Sequence, residues 1–231
     1  LSPPRLHALV PAAGAGARAG GELPKQYRRL GRATMLEHAL AALLAEPRIA
    51  EVIVVVAPED PHIATLRLPA RVTVVPAGGA TRAASVRAGL EHLATRAAAD
   101  DWVLVHDAAR PCLSAADLAA LIDAVRDDPV GGLLAQPLAD TLKRAQGERV
   151  LATVERSHLW RAATPQMFRL ALLRAALDAP GALATATDEA AAVEQLGHAP
   201  RLVACAATNL KVTDGNDFAL AGAILGLQGR L

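Results

Sequence analysis

Leu6-His7-Ala8-Leu9-Val10-Pro11-Ala12-Ala13-Gly14-Ala15-Gly16-Ala17-Arg18-Ala19-Gly20-Gly21 is the stretch on which the fold turns. Leu6–Val10 is a short apolar run bounded by Pro11, which reads as a buried first strand. The glycines follow at its carboxyl end, where a loop without side chains lets backbone N–H groups approach phosphate oxygens closely. Gly14-x-Gly16-x-x-Ala19 satisfies the dinucleotide fingerprint on paper, but that motif must open a helix, and Gly20, Gly21 and Pro24 break one. Gly16 and Gly21 have the spacing of a Walker loop, yet Glu22 stands where its Lys belongs. The stretch is therefore a phosphate loop of neither common type, with a plain structural turn as the alternative reading.

Outward from this strand, short β-branched runs alternate with Ala/Leu-rich stretches. Strands are expected at Leu6–Val10, Val52–Val56, Val72–Val75, Trp102–His106, Leu133–Pro137 and Leu202–Ala206. Helices are expected near Thr34–Ala45, Thr81–Arg96 and Ser114–Arg126, then Leu170–Leu177, Asp188–Leu196 and Asp214 toward Leu225, with Ser114 and Asp117 forming a capping box. The alternation predicts an α/β fold with a mainly parallel, mixed sheet flanked by helices. One region breaks it: Thr141–Ala145 and Val150–Glu155, joined by Gln146-Gly147-Glu148-Arg149, read as a β-hairpin arm at about 139–156. It carries Lys143, Arg144, Arg149 and Arg156. A lone hairpin is marginally stable, so a second subunit is its expected support. Nothing else divides residues 1–231, which read as one domain.

Composition narrows the class. Hydrophobic residues make up 52% but aromatics only 2%, so the core must be built from Ala, Leu and Val. The net charge of +1 is too balanced for a nucleic-acid surface. No apolar run is long enough to span a membrane, and the first residues carry no charged-then-apolar signal pattern. Cys112 and Cys205 lack metal-ligand spacing and read as small buried hydrophobes. A cytoplasmic enzyme is the expectation.

Of the 24 basic residues, 21 are Arg and only Lys25, Lys143 and Lys211 are Lys. In such a background a Lys marks a place for a compact point charge rather than a planar fork, chance being the competing reading. Arg18 and Lys25 flank the glycine loop, Lys25 within Pro24-Lys25-Gln26-Tyr27. An attacking phosphate and a nucleotide α-phosphate repel by roughly 3 kcal/mol per charge pair at ~5 Å and an effective dielectric near 20. Two cations beside the loop answer that repulsion and stabilise the charge of the transition state. Past the fourth strand comes His106-Asp107-Ala108-Ala109-Arg110-Pro111. A carboxylate there sits where parallel sheets place ligands, so Asp107 is a candidate for magnesium, for a substrate hydroxyl, or for a turn cap. His106 reads as a packed core histidine. Gly78-Gly79-Ala80-Thr81-Arg82-Ala83-Ala84-Ser85 is a second glycine turn opening a helix, suited to reading a base edge through backbone and hydroxyl groups.

Taken in order, these segments resemble the 2-C-methyl-D-erythritol 4-phosphate cytidylyltransferase family. The likeness rests on Pro11-Ala12-Ala13-Gly14-x-Gly16, Pro24-Lys25-Gln26-Tyr27, Gly78-Gly79…Arg82…Ser85-Val86 and His106 to Pro111. It continues in Asp140-Thr141-x-Lys143, Thr164-Pro165-Gln166, Thr187-Asp188-Glu189-Ala190 and Asn209-Leu210-Lys211-Val212-Thr213. The resemblance implies a Rossmann-like nucleotidyltransferase fold with a protruding β-hairpin arm. It implies a reaction of CTP with methylerythritol 4-phosphate, with Mg2+, giving the cytidine diphospho product and pyrophosphate. Arg18 and Lys25 would be catalytic. Arg156, Lys211, Asp107, Arg110, Thr141, Thr164 and Thr187 would position the substrate. Pro11, Ala12, Ala13, Gly14, Gly16, Gly79, Arg82 and Ser85 would bind the nucleotide. A homodimer is implied, its arm carrying Arg156 into the neighbouring site.

The sequence departs from the family pattern at Ala17, where Arg is frequent, and at Ala80, Thr81 and Ala84, where acidic residues are common. Base choice would then rest on backbone groups and Ser85. Glu155 replaces the usual Asp before Arg156. A ribitol 5-phosphate cytidylyltransferase or a molybdenum-cofactor nucleotidyltransferase would use the same chemistry. A non-catalytic nucleotide-binding module is the alternative of another class.

Overall fold

The computed structural model describes residues 3–14 and 23–231. In chain order the first half runs β1 (Leu6–Pro11), a 3-10 turn at Lys25–Tyr27, the two-residue strands β2 (Arg29–Leu30) and β3 (Ala33–Thr34), α1 (Met35–Leu44), β4 (Ile49–Val55), β5 (Val72–Val75), α2 (Arg82–Ala94), β6 (Trp102–Val105) and α3 (Ala115–Val125). The second half runs β7 (Gly131–Pro137), β8 (Leu142–Gln146), β9 (Arg149–Val154), β10 (Trp160–Arg169), α4 (Leu170–Asp178), α5 (Ala182–Thr185), α6 (Glu189–Gln195), β11 (Arg201–Ala204) and α7 (Gly215–Leu227).

Seven strands form one sheet in the order β11-β7-β10-β6-β1-β4-β5. Every neighbouring pair is parallel except the two made by β10, which runs antiparallel between β6 and β7. The parallel strands β1, β4 and β6 are mostly apolar on both faces because both faces are covered, His7 of β1 and Glu51 of β4 being the polar exceptions. Ala8, Val10, Val52, Val54 and Leu104 face Leu36, Leu40 and Leu43 of α1 and Leu118 and Leu121 of α3. Leu9, Ile53, Val55, Val103 and Val105 face Val86, Leu90 and Leu93 of α2 and Leu173 and Leu177 of α4. Alternation along each strand divides its side chains between two helical layers. Gly89 of α2 exists for this packing, since a Cβ there would stand 2.5 Å from Leu9 Cδ1.

The expected strands and helices are present, with bounds shifted by at most three residues and Val72–Val75 unshifted. The sequence reading lacks β10. Its run Trp160-Arg161-Ala162-Ala163-Thr164-Pro165-Gln166-Met167-Phe168-Arg169 contains a proline, which argues against a central strand. The structure accommodates Pro165 at a register shift between Ala162 and Gln166, so the strand pairs with β7 on either side of it. The capping box at α3 is half formed. Ser114 accepts from the Asp117 N–H, but the Asp117 carboxylate accepts from Ala206 N–H at 3.1 Å and so ties α3 to the segment after β11. Cys112 is buried as expected, whereas Cys205 is only partly so.

The arm is a separate two-stranded sheet, β8 against β9. Its turn is Gly147-Glu148 rather than four residues, and Gly147 has a φ of +55°, which a tight hairpin turn demands. Val150 and Leu151 of the arm are exposed at 62% and 60%, an apolar surface that a single chain leaves uncovered.

Candidate active site

A cleft of about 690 Å3 opens at the carboxyl ends of β1 and β6, where parallel sheets place their ligands. Pro11, Ala12, Ala13 and Gly14 form one wall, Gly79, Arg82 and Ser85 a second, and Lys25, Asp107 and Lys211 a third. Segments from both ends of the chain thus converge on one space. Of the expected site residues, Gly16 and Arg18 lie outside the described residues.

The first wall is held by a buried amide. Gln26 donates from Nε2 to the carbonyls of Ala12, at 2.8 Å, and Gly14, at 2.9 Å. Gln26 therefore fixes where the glycine loop leaves the sheet. Next to it Lys25 donates from Nζ to Val212 O at 2.9 Å.

The second wall is the turn into α2. Gly78 N–H donates to Val56 O at 2.8 Å, and a Cβ on Gly78 would collide with the Ala13 Cβ, so the two glycine segments can touch only without a side chain here. Ser85 Oγ accepts from Gly79 N–H and donates to Thr81 O, both at 3.1 Å. Its proton is thereby engaged, and what remains for a base is a lone pair beside the backbone groups of the turn.

The third wall is a chain of alternating charges. Lys211 Nζ stands 2.8 Å from Asp107 Oδ2, and Arg82 Nε donates to Asp107 Oδ1 at 2.7 Å. The other two Arg82 nitrogens donate to Glu189, at 2.6 and 2.9 Å. Glu189, 1% exposed, is a buried charge matched by a bidentate partner. Burial alone would push the Asp107 carboxyl up, but the Arg82 and Lys211 charges outweigh it and hold the group well below the usual carboxylate range. Arg82 lines the cleft, as expected, but all three of its nitrogens are bound to carboxylates, so it joins two parts of the wall.

Asp107 does not fit the expected role of a magnesium ligand. Each of its oxygens already accepts a short charge-assisted bond, Arg110 Nε lies 3.9 Å away, and an ion there would displace a cation that is already paired. Among the described residues no group of three or more His, Cys, Asp or Glu side chains can hold a metal.

The other expected residues are placed less uniformly. Arg110 is partly buried; it donates to Asn209 O at 2.7 Å, and Asn209 in turn donates to Thr164 O at 2.9 Å. Thr164 is buried beneath the cleft, its hydroxyl bonded to Asp107 N–H and His106. Thr187 lines a smaller cavity of about 160 Å3 on the other side of Arg82 and Glu189. Thr141 and Arg156 sit on the arm; Arg156 is exposed and its guanidinium donates to Ala139 O.

Gln26, Gln166 and Glu189 lie within the motifs but carry no role that their spacing alone reveals. Gln166 donates to Asp188 at 2.9 Å and accepts from Ala190 N–H at 2.8 Å, which seats Glu189 at the start of α6. The only signal in the sequence was polarity where burial was due.

This sheet, with a glycine-lined cleft carrying two lysines, defines the chain as an α/β nucleotidyltransferase. A family model described as IspD, 2-C-methyl-D-erythritol 4-phosphate cytidylyltransferase, matches residues 6–227. The enzyme of that name from Laribacter hongkongensis is 56% identical over 227 residues, 97% of each chain. The one from Dechloromonas aromatica is 54% identical over 226 residues, covering 96% of this chain and 98% of the relative. The crystal structure of Francisella tularensis 2-C-methyl-D-erythritol 4-phosphate cytidylyltransferase superposes with a TM-score of 0.82 at 32% identity, over 96% of this chain and 100% of that one. The chain belongs to the 2-C-methyl-D-erythritol 4-phosphate cytidylyltransferase family.

Proposed function

We propose that this cleft transfers CMP from CTP to 2-C-methyl-D-erythritol 4-phosphate, yielding 4-diphosphocytidyl-2-C-methyl-D-erythritol and pyrophosphate for isoprenoid precursor synthesis. A phosphate oxygen of the acceptor attacks the α-phosphorus, the new P–O bond forms, and the bond to the β-phosphate breaks with its electrons leaving on pyrophosphate. The observation that carries this reading is the convergence of Lys25 and Lys211 on the cleft lined by Pro11 to Gly14, at Val212 O and Asp107 respectively.

Pro11 to Gly14 and Gly16 receive the nucleotide, with Gly79 and Ser85 beside the base and Arg82 bracing that wall. Lys25, with Arg18, stabilises charge on the pentacoordinate phosphorus. Lys211, Asp107 and Arg110 hold the acceptor. Thr187 adds a contact at the edge of the site, and Thr164 supports it from below. We assign Mg2+ to the triphosphate oxygens of CTP rather than to a protein carboxylate, since magnesium binds readily through substrate phosphates. Two copies of the chain pair through the arm, whose exposed Val150 and Leu151 support the reading. Thr141 and Arg156 then serve the neighbouring copy's acceptor. A cytoplasmic setting suits this chemistry, and among the described residues no helix is long and apolar enough to cross a membrane.

The test is pyrophosphate release with magnesium, pairing each of CTP, ATP, GTP and UTP with methylerythritol 4-phosphate or ribitol 5-phosphate. Release with CTP and methylerythritol phosphate alone is expected. Release with ribitol phosphate or another nucleotide keeps the chemistry and overturns the substrate. Nucleotide binding without release from any pair favours a non-catalytic module.

A further inference from the structure

His106 is completely buried directly behind Asp107, and both of its ring nitrogens are engaged. Nε2 lies 3.0 Å from Arg110 O, and Nδ1 lies 3.0 Å from Thr164 Oγ1. A carbonyl oxygen can only accept, so Nε2 carries the proton. Burial pushes the imidazole down to about 4, so the ring is neutral and Nδ1 is an acceptor. The Thr164 hydroxyl must then donate to His106. This turns an oxygen lone pair toward Asp107 N–H, which donates to it at 3.0 Å.

From this geometry we infer that His106 is a positioning residue for the acceptor substrate, bracing both ends of the Asp107–Arg110 turn. It holds Arg110 directly, through that residue's carbonyl. It holds Asp107 through Thr164, by fixing which way the hydroxyl points. Asp107 lines the cleft and pairs with Lys211, and Arg110 stands 3.9 Å from the Asp107 carboxylate, so His106 sets the spacing of these two residues without touching substrate. The inference rests on the assignment of Asp107 and Arg110 to the acceptor site.

His106→Gln and Thr164→Val separate the parts. A glutamine amide still reaches toward Arg110 O but offers Thr164 no acceptor in the place of Nδ1. Valine keeps the shape of threonine and removes its hydroxyl. Each variant should raise KM for methylerythritol 4-phosphate about tenfold, with kcat altered less than about threefold. CTP affinity, measured by calorimetry, should not change. Thr164→Ser should recover most of the loss seen in Thr164→Val, because it restores the hydroxyl. The double variant should be no worse than Thr164→Val alone by more than about twofold, since residues acting as one unit are not additive.

A folded His106→Gln protein with unchanged KM overturns the inference, as does full additivity in the double variant. If His106→Gln fails to fold, the Thr164 pair decides: equal KM for the valine and serine variants overturns it. Asp107→Asn and Arg110→Ala serve as controls. If they leave KM unchanged, the site assignment falls and takes the inference with it. If they raise KM while His106→Gln and Thr164→Val do not, the inference alone is wrong.

Discussion

Lys25 Nζ donates to the backbone carbonyl of Val212 at 2.9 Å, joining two residues 187 positions apart in the chain. The bond pins a flexible side chain to the segment that also carries Lys211, so the two amines enter the cleft from a common anchor. A charge held in place before reaction needs no reorganisation when the transition state forms.

Lys25→Ala should therefore act on the chemical step. Loss of one preorganised charge-stabilising group costs about 10²–10³ in kcat. KM for methylerythritol phosphate should stay within about threefold, because the group acts on the transition state rather than on acceptor binding. Steady-state kinetics decides it, and near-normal kcat with raised KM would place Lys25 in substrate binding instead.

Lys211→Ala should behave in the opposite way. Its Nζ is 2.8 Å from Asp107, on the wall assigned to the acceptor. Removing it takes a cation from the acceptor phosphate and leaves Asp107 beside Arg82 and Arg110 alone. KM for methylerythritol phosphate should rise at least about tenfold while CTP affinity holds. A fall in kcat with unchanged KM would reverse the roles of the two lysines.

Arg156 is on the arm, donating to Ala139 O, and is not among the residues lining the cleft of its own chain. If two copies exchange arms, a mixed dimer of Arg156→Ala with Lys211→Ala has one site lacking both groups and one lacking neither. Such a dimer should recover about half of wild-type activity, as expected for a two-fold pair with shared sites. Purification through two different tags, followed by the pyrophosphate assay, checks it. Activity no higher than in either parent would put both residues in one chain's site.

The scarcity of lysine was the sharpest local signal in the sequence, for two of the three line the cleft and the third, Lys143, bonds Thr153 on the arm. The parallel strands were equally legible, because apolar runs covered on both faces have a plain pattern. What stayed hidden was the support. The β10 strand was masked by Pro165 and by polar residues at buried positions. Gln26, His106, Gln166 and Glu189 are buried for the sake of hydrogen bonds made across distances of 12 to 107 residues in sequence. Hydrophobic periodicity records which face a residue buries, not which partner it meets, so such residues look like exceptions until the fold is seen.

Arg82→Ala should be costly for stability as well as activity. Glu189 is 1% exposed, and the Arg82 guanidinium is its bidentate partner. Breaking a buried pair from one side typically costs about 3–5 kcal/mol, because the remaining charge is left in a poor solvent. In a chain of this size each kcal/mol moves Tm by about 2–4 °C, so a fall of roughly 10 °C is expected by calorimetry. Removing Glu189 as well, in Arg82→Ala with Glu189→Leu, should return part of it. A double variant less stable than Arg82→Ala would show that Glu189 has support of its own.

The acid limb of stability should depend on Asp107. Burial pushes its carboxyl up, the charges of Arg82 and Lys211 pull it down further, and the net result lies well below the ordinary value. A group that binds its proton more weakly in the folded state contributes stability above its unfolded pKa, near about 4 for Asp. That contribution is lost as pH falls through the unfolded value toward the folded one, since the unfolded chain takes up the proton first. Asp107→Asn cannot titrate at this position. The difference in Tm between wild type and Asp107→Asn should therefore be widest above about pH 5 and narrow steadily below about pH 4. Thermal melts from pH 7 down to the onset of acid unfolding measure it. Other depressed carboxyls, such as Asp101 and Glu51, are common to both proteins and cancel in the difference. A gap that stays constant across the range would mean that the charges of Arg82 and Lys211 do not set the titration of Asp107.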